Sequence, residues 1–347
     1  MSIETYDATA LLALPQIKPG STEEAGLLSW SRPYLIGQIR AEGVDVNVVR
    51  GPQALHDECD YAHLVVRPEY SPDTPGVSIA RLGSVSLDSY GVVRSITRAV
   101  SFEHTINTLN PSELRNMAKN KFKMANDILQ PLHVYGRNVV HALPFEALQL
   151  DALKGDTVVA KPNNGRLSRG IEIGTKSTIQ DTLRHIETPY IVEETLDFSL
   201  PLPSVKGINE TEQARLDEAN RTGVNKEIRM FFFGNDVWDV TGRIAKPGEA
   251  DFRDDKWLYI DPETVPAVLL DKSREVVGRL KDVLGTDEFN IAIDWVYATS
   301  ASEPEPSWRV MEVNAAEPQL VQLHQNDEIG KRQHDKLANQ IVRIAVS

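Results

Sequence analysis

Asn290-Ile-Ala-Ile-Asp-Trp-Val296 and Arg309-Val-Met-Glu-Val-Asn314 are the two segments that decide the fold, because each alternates in the manner of a strand. Alternation places Asp294 on the face opposite its apolar neighbours, and Glu312 and Asn314 together on one face of the second strand. If the strands pair, these oxygen donors converge, and such hard ligands without His or Cys suit Mg²⁺ that bridges nucleotide phosphates. An amphipathic hairpin with solvated carboxylates is the alternative, and either strand taken alone favours it.

A lysine that ends an apolar strand is the first candidate for phosphate binding. Lys161 completes the run Thr157-Val-Val-Ala-Lys161, and a flexible loop, Pro162 to Gly170, follows it. The backbone N–H groups of such a loop can close over phosphates while the lysine supplies a point charge. A surface hairpin with an exposed lysine is the alternative, although lysine rarely completes an apolar run of this kind. Lys121 is weaker evidence, because a solvated helix face explains it equally well.

A second polar cluster is expected on the hairpin predicted over residues 227–244. Glu227 and Arg229 share one face of its first strand, and Arg243 lies near the end of the return strand. Arginine can stabilise charge that develops on a transferring phosphoryl group or on a tetrahedral oxyanion. Surface ion pairing across the hairpin is the competing interpretation, and for this hairpin in isolation it is the more ordinary one.

The remaining pattern predicts a mixed α+β protein and not alternating parallel βαβ units. The first part of the chain predicts a small α/β unit with strands at 44–49 and 63–66. A helix is predicted over 113–129, and residues 198–226 interrupt the later strands as an inserted lobe. The other predicted elements are strands at 157–161, 170–174, 190–193, 290–297 and 308–313, and helices at 33–40, 177–186, 210–220, 271–284 and 327–345.

Composition and charge exclude several classes of protein. The chain has 347 residues, a formal net charge of −13 and a pI of about 5.2, so no nucleic-acid partner is expected. No apolar run approaches the length that crosses a bilayer, and no GxGxxG or Walker-type motif supports a dinucleotide or P-loop fold. A single cysteine, Cys59, excludes an intrachain disulfide and suits a reducing compartment, so we expect a cytoplasmic protein without a membrane partner.

Taken in order, these segments resemble the ATP-grasp superfamily, and most closely its branch of ribosomal-protein glutamate ligases, bacterial glutathione synthetases and graspetide-type peptide ligases. The resemblance extends from about residue 107 to about residue 320, and it rests on the order and spacing of motifs that are weak singly. The motifs that carry it are Asn120-Lys-Phe-Lys, Val158-Val-Ala-Lys-Pro-Asn-Asn-Gly165, Tyr190-Ile-Val-Glu-Glu194, Glu227-Ile-Arg229, Gly242-Arg243 with Asp251-Phe-Arg253, Ala292-Ile-Asp294 and Met311-Glu-Val-Asn314.

The resemblance implies the ATP-grasp fold, in which two α+β subdomains grip ATP behind a small N-terminal α/β domain. On this sequence it implies an N-terminal domain at 1–110, a small lid subdomain with its linking helix at 111–195, and a large subdomain with the metal site at 196–347. The inserted lobe looks longer than is usual for the branch. Glu227 stands where the branch usually has Asp, and Glu317 stands in a segment that is usually small residues and Pro-Gly.

Carried over residue by residue, the resemblance implies a nucleotide site and a metal site. Lys121 and Lys161 would contact phosphates, with Lys161 also approaching the adenine, and Glu193 would accept from the adenine amino group. Glu194 and Leu196 would offer backbone edges to the base. The other implied residues are Asn164, Gly165 and Ser168 in the phosphate loop, Glu227 beside the nucleotide, Asp294, Glu312 and Asn314 as ligands of one or two Mg²⁺, and the catalytic Arg229 and Arg243 facing the γ-phosphate and the acyl phosphate.

The resemblance also implies a reaction, which is ATP-dependent formation of an amide or peptide bond through an acyl phosphate with release of ADP and phosphate. The alternatives are an ATP-grasp kinase acting on a small molecule and a non-catalytic nucleotide-binding module, which the complete set of lysines and metal ligands disfavours. An amino acid or a peptide is the expected substrate, and homodimers are common in the family. An anionic substrate and solvated loop charges explain equally well the basic residues Arg166, Arg169, Lys246, Arg253 and Lys256.

Overall fold

The computed structural model divides the chain into two units. The residues that it describes are 9–14, 31–43, 45–50, 76–79, 107–108, 114, 117–118, 120–141, 148–163, 170–186, 188–245, 256–285, 289–314 and 327–346. Unit 1 comprises residues 1–112, 288–290 and 317–347, and unit 2 comprises residues 113–287 and 291–316. The three domain boundaries expected from the sequence stay predictions. Within the described residues, no helix is both long and apolar enough to cross a membrane.

Unit 1 contains a parallel sheet of short strands. Its described strands are β1 (Thr9–Leu14), β2 (Asp45–Arg50), β3 (Gly76–Ile79) and β4 (Asn107–Thr108), in the order β2-β1-β3-β4. Helix α1 (Ser31–Ala41) and the terminal helix (Asp327–Val346) belong to the same unit, and Tyr34 Oη donates to Asp335 Oδ1 at 2.8 Å. The strand predicted at 44–49 and both helices are confirmed, whereas the strand predicted at 63–66 lies outside the described residues.

In unit 2, the helix predicted over residues 113–129 is interrupted at Asn120. This residue has φ −92° and ψ 89°, outside the helical region, and its side chain caps the next turn by accepting from Lys123 N–H. Helix α2 follows the cap as the turn Lys121–Lys123, which continues as a π-helix, Met124–Leu129. The interruption corrects the predicted continuous helix, and it places Lys121 in the first turn of α2.

The first sheet of unit 2 is antiparallel and contains the candidate phosphate lysine. Its described strands are β5 (Val139–His141), β6 (Thr157–Pro162), β7 (Glu172–Thr175) and β8 (Tyr190–Glu194), in the order β5-β8-β6-β7. Helix α3 (Lys176–Leu183) packs on this sheet through a core that contains Val158 and Ala160. Because alternation buries these two side chains of β6, Lys161 lies on the opposite face.

The second sheet of unit 2 contains most of the other candidate residues. Its described strands are β9 (Leu196–Asp197), β10 (Lys226–Phe233), β11 (Asp236–Ile244), β12 (Lys256–Tyr259), β13 (Asn290–Ser300) and β14 (Ser307–Asn314). They lie in the order β12-β11-β10-β13-β14, and β9 pairs with β13 outside this path. The predicted β10–β11 hairpin and the predicted β13–β14 pair are confirmed. With helices α4 (Glu210–Thr222) and α5 (Ala267–Leu284), unit 2 has the mixed α+β architecture that the sequence predicts.

A buried lysine anchors the inserted lobe to the second sheet. The predicted polar helix of this lobe is confirmed as α4. Lys226 is fully buried near the end of α4, and its ammonium donates to three carbonyl oxygens, those of Ser199, Ala219 and Val224, at 2.9, 3.3 and 2.7 Å. Carbonyl groups at the carboxyl end of a helix carry partial negative charge, so a cation placed there stabilises the helix.

Replacing Lys226 with methionine should lower the free energy of unfolding of unit 2 by about 2 kcal/mol at pH 7, because these carbonyl oxygens lose a charged donor. Burial lowers the pKa of Lys226 from 10.5 to about 8, and Asp197 opposes this shift. Between these pH values the unfolded chain binds a proton that the folded protein has released, so the contribution of Lys226 to stability rises with pH. We expect the advantage of the parent over the variant to grow by about 1–2 kcal/mol across this range.

Urea unfolding followed by tryptophan fluorescence measures this effect, because Trp238, Trp257, Trp295 and Trp308 all belong to unit 2. Lys206→Met is the matched control, since Lys206 is an exposed lysine of the same lobe, and we expect it to change stability by less than about 0.5 kcal/mol. A parent advantage that shrinks as the pH rises would contradict the role of Lys226.

Candidate active site

The candidate metal ligands meet on one face of the second sheet. In the β13–β14 pair, Asp294 lies opposite Glu312 and Ala292 lies opposite Asn314, so the oxygen-donor side chains share a face. Asn314 Nδ2 donates to Asp294 Oδ2 at 2.9 Å. A register shift after Asp294 leaves Met311 without a partner across the ladder, which is the geometry of a β-bulge. The structure therefore brings the three residues together, and ligation of a metal stays a prediction.

Arg229 of β10 joins this face through Asp294. Its guanidinium makes two contacts with the carboxylate, Nε to Oδ1 at 2.6 Å and Nη2 to Oδ2 at 2.7 Å. The two side chains are only 3% and 2% exposed, so the surface ion pairing considered from the sequence is wrong for this arginine. Burial by itself would lower the pKa of Arg229, but Asp294 outweighs burial and raises that pKa, so the guanidinium stays charged.

Arg243 and Glu227 form the neighbouring pair, opposite each other in the β10–β11 hairpin. Arg243 donates to Glu227 Oε1, and Arg243 Nη2 lies 3.7 Å from Asp294 Oδ2. The guanidinium also lies 5.6 Å from the centre of the Trp257 ring. Burial raises the pKa of Glu227 to about 7, with Arg243 opposing this shift and Asp294 adding to it. Both candidate catalytic arginines thus lie beside the candidate metal ligands.

Lys121 reaches the same face from helix α2, and its Nζ donates to Glu312 Oε1 at 2.8 Å. Desolvation by itself would raise the pKa of Glu312, but Lys121 outweighs it and lowers that pKa. Asn163 holds the start of α2 against the end of β6: its Oδ1 accepts from Phe122 N–H at 2.9 Å, and its carbonyl accepts from Lys121 N–H at 3.2 Å. This role of Asn163 was not predicted, because an asparagine pair in a loop gives no local signal of which groups it bonds.

A second cluster is centred on Glu193 in the first sheet. Oε1 of this carboxylate forms an ion pair with Lys161 Nζ. Oε2 accepts a hydrogen bond from Tyr135 Oη and lies 3.1 Å from Arg137 Nε. Burial by itself would raise the pKa of Glu193, but Arg137 and Lys161 outweigh it and lower that pKa to about 2. Arg137 Nη1 also donates to the carbonyl of Val310 at 3.0 Å, so this cluster adjoins the strand that contains Glu312. Tyr135 and Arg137 were not predicted from the sequence as members of the site.

Glu194 and Leu196, next to this cluster, bond to neighbouring segments of the protein. The carboxylate of Glu194 accepts from Asn138 Nδ2, Lys154 N–H and Ser302 Oγ at 2.8, 2.7 and 2.6 Å. Its backbone N–H donates to the carbonyl of Asn138 at 3.2 Å, and the backbone contact between Glu194 and a base stays a prediction. Leu196 pairs with a residue of β13, and its predicted contact with the base stays a prediction.

Part of the predicted site lies outside the described residues. This part includes the phosphate loop that follows β6 and several basic residues of other loops. The candidates concerned are Asn164, Gly165, Ser168, Arg166, Arg169, Lys246, Arg253 and Glu317. Lys256 lies in β12, where the backbone is described and the side chain is not.

The donor set fits a magnesium ion that arrives with its nucleotide. It consists of the carboxylates of Asp294 and Glu312 and the amide oxygen of Asn314, on one face of one strand pair. Mg²⁺ keeps several waters and is usually bound through one or two carboxylates together with substrate phosphates. Among the described residues there is no group of three His, Cys, Asp or Glu that could hold a metal ion alone. The two carboxylates and the amide oxygen match the ligand types that Mg²⁺ prefers when it is shared with substrate phosphates.

Comparison with known proteins gives matches in structure only, since no protein-family model and no curated protein sequence matches the chain. D-cycloserine synthetase DcsG superposes with a TM-score of 0.59 at 16% identity, covering 95% of this chain and 99% of that chain. The D-alanine–D-alanine ligase from Bacillus anthracis complexed with ATP has a TM-score of 0.58 at 14% identity, over 99% and 97%. The ATP-grasp ligase PsnB complexed with minimal precursor has a TM-score of 0.56 at 13% identity, over 97% and 99%.

These similarities define the class of fold to which the two antiparallel sheets belong. PsnB is described as an ATP-grasp ligase, and a RimK domain protein from Sphaerobacter thermophilus, also described as ATP-grasp, matches 98% of this chain with a TM-score of 0.55. The chain has the ATP-grasp fold, which confirms the fold that the sequence resemblance implies.

Proposed function

We propose that this chain is an ATP-dependent, magnesium-requiring ligase that joins a carboxylate to an amine through an acyl phosphate. One observation supports this proposal above the others, namely that the oxygen donors around Asp294 lie beside the buried guanidinium group of Arg229 and the partly buried one of Arg243. In phosphoryl transfer the developing charge is spread over several phosphate oxygens, and fixed cations beside a magnesium site stabilise it. The ATP-grasp fold supports the same reaction class.

In this proposal the base of the nucleotide lies at Glu193 and its phosphates extend towards Glu312. Glu193 is a carboxylate at any physiological pH, because its pKa is about 2, and it can accept from an exocyclic amino group. Lys161 and Lys121 bind phosphate oxygens. For Lys121 this means that its hydrogen bond to Glu312 is replaced by one to a phosphate of the nucleotide. The remaining proposed nucleotide contacts are Asn164, Gly165 and Ser168, and the backbone of Glu194 and of Leu196.

The metal-binding face supplies the groups for phosphoryl transfer. Asp294, Glu312 and Asn314 would hold one or two Mg²⁺, which offset phosphate charge and align the phosphates when bound. Arg229 would face the γ-phosphate and Arg243 the acyl phosphate, where each lowers the cost of charge that develops on oxygen. We propose that Glu227 orients Arg243, to which it is hydrogen-bonded.

No nucleophilic side chain is needed for this chemistry. A carboxylate is a poor acyl donor until one of its oxygens becomes part of a good leaving group, and transfer of the γ-phosphoryl group creates that leaving group. The amine then attacks the acyl carbon, so that a carbon–nitrogen bond forms while the carbon–oxygen bond to phosphate breaks and the amine loses a proton. Exclusion of water protects the acyl phosphate from hydrolysis.

An amino acid or a peptide is the substrate class that we propose. Solved structures of similar fold include the D-alanine–D-alanine ligase from Bacillus anthracis and the macrocyclase MdnC bound with precursor peptide MdnA. We also propose a homodimer, which rests on the family resemblance alone.

Purified protein with ATP, Mg²⁺ and pairs of amino acids or peptides should release ADP and phosphate only when an acid and an amine are both present. The product should gain the mass of the amine minus water, because the acyl phosphate loses phosphate when the amine attacks. Hydroxylamine in place of the amine should yield a hydroxamate. A product that keeps the phosphoryl group would instead identify a kinase, and absence of hydroxamate with a bound acid would count against the acyl phosphate.

A further inference from the structure

Arg137 is a buried cation between the two clusters, and neither the sequence nor the roles proposed above assign it a task. Its side chain is fully buried, with its guanidinium carbon 3.8 Å from the centre of the Tyr135 ring. Nη1 donates to the carbonyls of Tyr135 and Val310 at 3.2 and 3.0 Å, and Nη2 donates to the carbonyl of Met311 at 3.5 Å. A buried guanidinium bonded in this way has a rigid position, because its planar group fixes several donors at once.

Two of the carbonyls to which Arg137 donates, those of Val310 and Met311, belong to the β-bulge of β14. Asp294 pairs with Glu312 and the next residue, Trp295, pairs with Val310, so Met311 is the extra residue of the bulge. A bulge changes the direction in which the following side chain points, and its unpaired backbone groups need other partners. Arg137 bonds to the carbonyls of the two residues that precede Glu312, and therefore fixes the bulge that aims this candidate metal ligand.

The other side of Arg137 faces the proposed nucleotide base. Its Nε lies 3.1 Å from Glu193 Oε2, and the other oxygen of Glu193 receives Lys161 Nζ. Burial by itself would lower the pKa of Arg137, but Glu193 outweighs it and raises that pKa. Arg137 thus contacts both Glu193, which is paired with Lys161, and the backbone of the bulge that sets the direction of the Glu312 side chain.

We propose that Arg137 is a positioning residue. It sets the distance between Glu193, where the base of the nucleotide is proposed to bind, and β14, which contains the proposed metal ligand Glu312. The inference rests on the proposed function, since it assumes that Glu312 binds a magnesium ion shared with the nucleotide. Its consequence is specific: loss of the planar guanidinium should weaken magnesium binding through the bulge, even when the charge next to Glu193 is kept.

Three variants distinguish this positioning role from a general effect of replacing a buried arginine near β14. Arg137→Met removes both the charge and the hydrogen bonds, whereas Arg137→Lys keeps a cation beside Glu193 but lacks the planar group whose separate nitrogens contact Glu193 and the two bulge carbonyls. Arg309→Met is the matched control, because Arg309 is a buried arginine on β14 whose ion-pair partner, at 2.6 Å, is Glu303 and not Glu193. The readout is the magnesium concentration that gives half-maximal binding of a non-hydrolysable ATP analogue, measured by calorimetry.

Both Arg137 variants should need about tenfold more magnesium than the parent, as is usual when a residue that supports a metal ligand is lost. At saturating magnesium, Arg137→Lys should bind the analogue within about threefold of the parent, and Arg137→Met should bind it more weakly. Arg309→Met should keep the magnesium requirement of the parent within about twofold. If Arg137→Met fails to fold, the comparison of Arg137→Lys with the parent decides the question alone.

An Arg137→Lys protein with the magnesium requirement of the parent would overturn the positioning role. So would an equal shift in Arg309→Met, because any buried arginine near β14 would then have the same effect. A parent that binds no magnesium–nucleotide complex would overturn the proposed function and this inference together. A parent that binds the complex while the Arg137 variants keep its magnesium dependence overturns this inference alone.

Discussion

Glu312→Gln should reduce magnesium-dependent ADP release about 100- to 1,000-fold, which corresponds to about 3–4 kcal/mol of transition-state stabilisation. The substitution keeps the size of the side chain and removes the charge that a magnesium ion requires. Stability should fall by less than about 1 kcal/mol, because the Glu312 side chain is 44% exposed and its contact with Lys121 is a partly solvated ion pair. Activity and folding are therefore expected to separate at this residue.

Glu303→Gln is the matched control for this experiment. The side chain of Glu303 is 46% exposed, and it is paired at 2.6 Å with Arg309, which lies on the same strand as Glu312. The two substitutions thus remove carboxylates of similar exposure from similar ion pairs, but only Glu312 lies opposite Asp294. We expect Glu303→Gln to keep turnover within about twofold of the parent.

The measurement uses the acid and amine that the substrate screen identifies, with ADP release followed over a range of magnesium concentrations. Glu312→Gln should also need a higher magnesium concentration for half-maximal rate, since the loss acts on the metal. A fall of less than about fivefold, or an equal fall in both variants, would remove Glu312 from the metal site and weaken the proposed function with it.

Side-chain alternation was sufficient to predict that the candidate metal ligands share one face, because the period of a strand is a local property of the sequence. Asp294, Glu312 and Asn314 share a face in the structure for the reason that the pattern indicates. The environment of Arg229 could not be predicted in the same way. Its burial depends on β10 lying next to β13, and strand order in a sheet is decided by contacts between segments distant in sequence.

The cluster around Glu193 was predicted only in part for a related reason. Lys161 and Glu193 lie in regular strands with recognisable motifs, whereas Tyr135 and Arg137 lie in a segment, 134–138, without strand or helix periodicity. Every partner of Arg137 outside that segment is more than fifty residues away in sequence, so no local pattern indicates the contact. The bulge at Met311 is equally invisible, because one extra residue in a strand leaves its composition unchanged.

The same segment contains the residue for which we expect the largest loss of stability, Gly136. Its φ is +66°, a region that residues with a side chain rarely adopt, and its carbonyl accepts from Ser300 Oγ at 2.7 Å. A Cβ atom at this position would lie 2.2 Å from Cδ of Arg309, a side chain that is itself buried and paired with Glu303. Gly136→Ala therefore combines backbone strain with a steric overlap that the buried arginine can relieve only by leaving its place.

We expect Gly136→Ala to lower the free energy of unfolding of unit 2 by about 4 kcal/mol, from about 1–2 kcal/mol of backbone strain and about 2–3 kcal/mol of overpacking. Gly223→Ala is the matched control, because Gly223 has a φ of +65° and open space where the Cβ would be. This variant should lose only the backbone part, about 1 kcal/mol. Urea unfolding followed by tryptophan fluorescence compares the two variants directly.

A double-mutant cycle with Arg309→Ala identifies the cause of the larger loss. Removing the arginine side chain removes the overlap but not the unfavourable φ, so Gly136→Ala should cost only about 1–2 kcal/mol in the Arg309→Ala background. An undiminished cost of about 4 kcal/mol in that background would show that the contact with Arg309 is not responsible. Equal costs of Gly136→Ala and Gly223→Ala in the parent would show that backbone strain alone accounts for the loss of stability at Gly136. That result would contradict the close packing of Arg309 against Gly136.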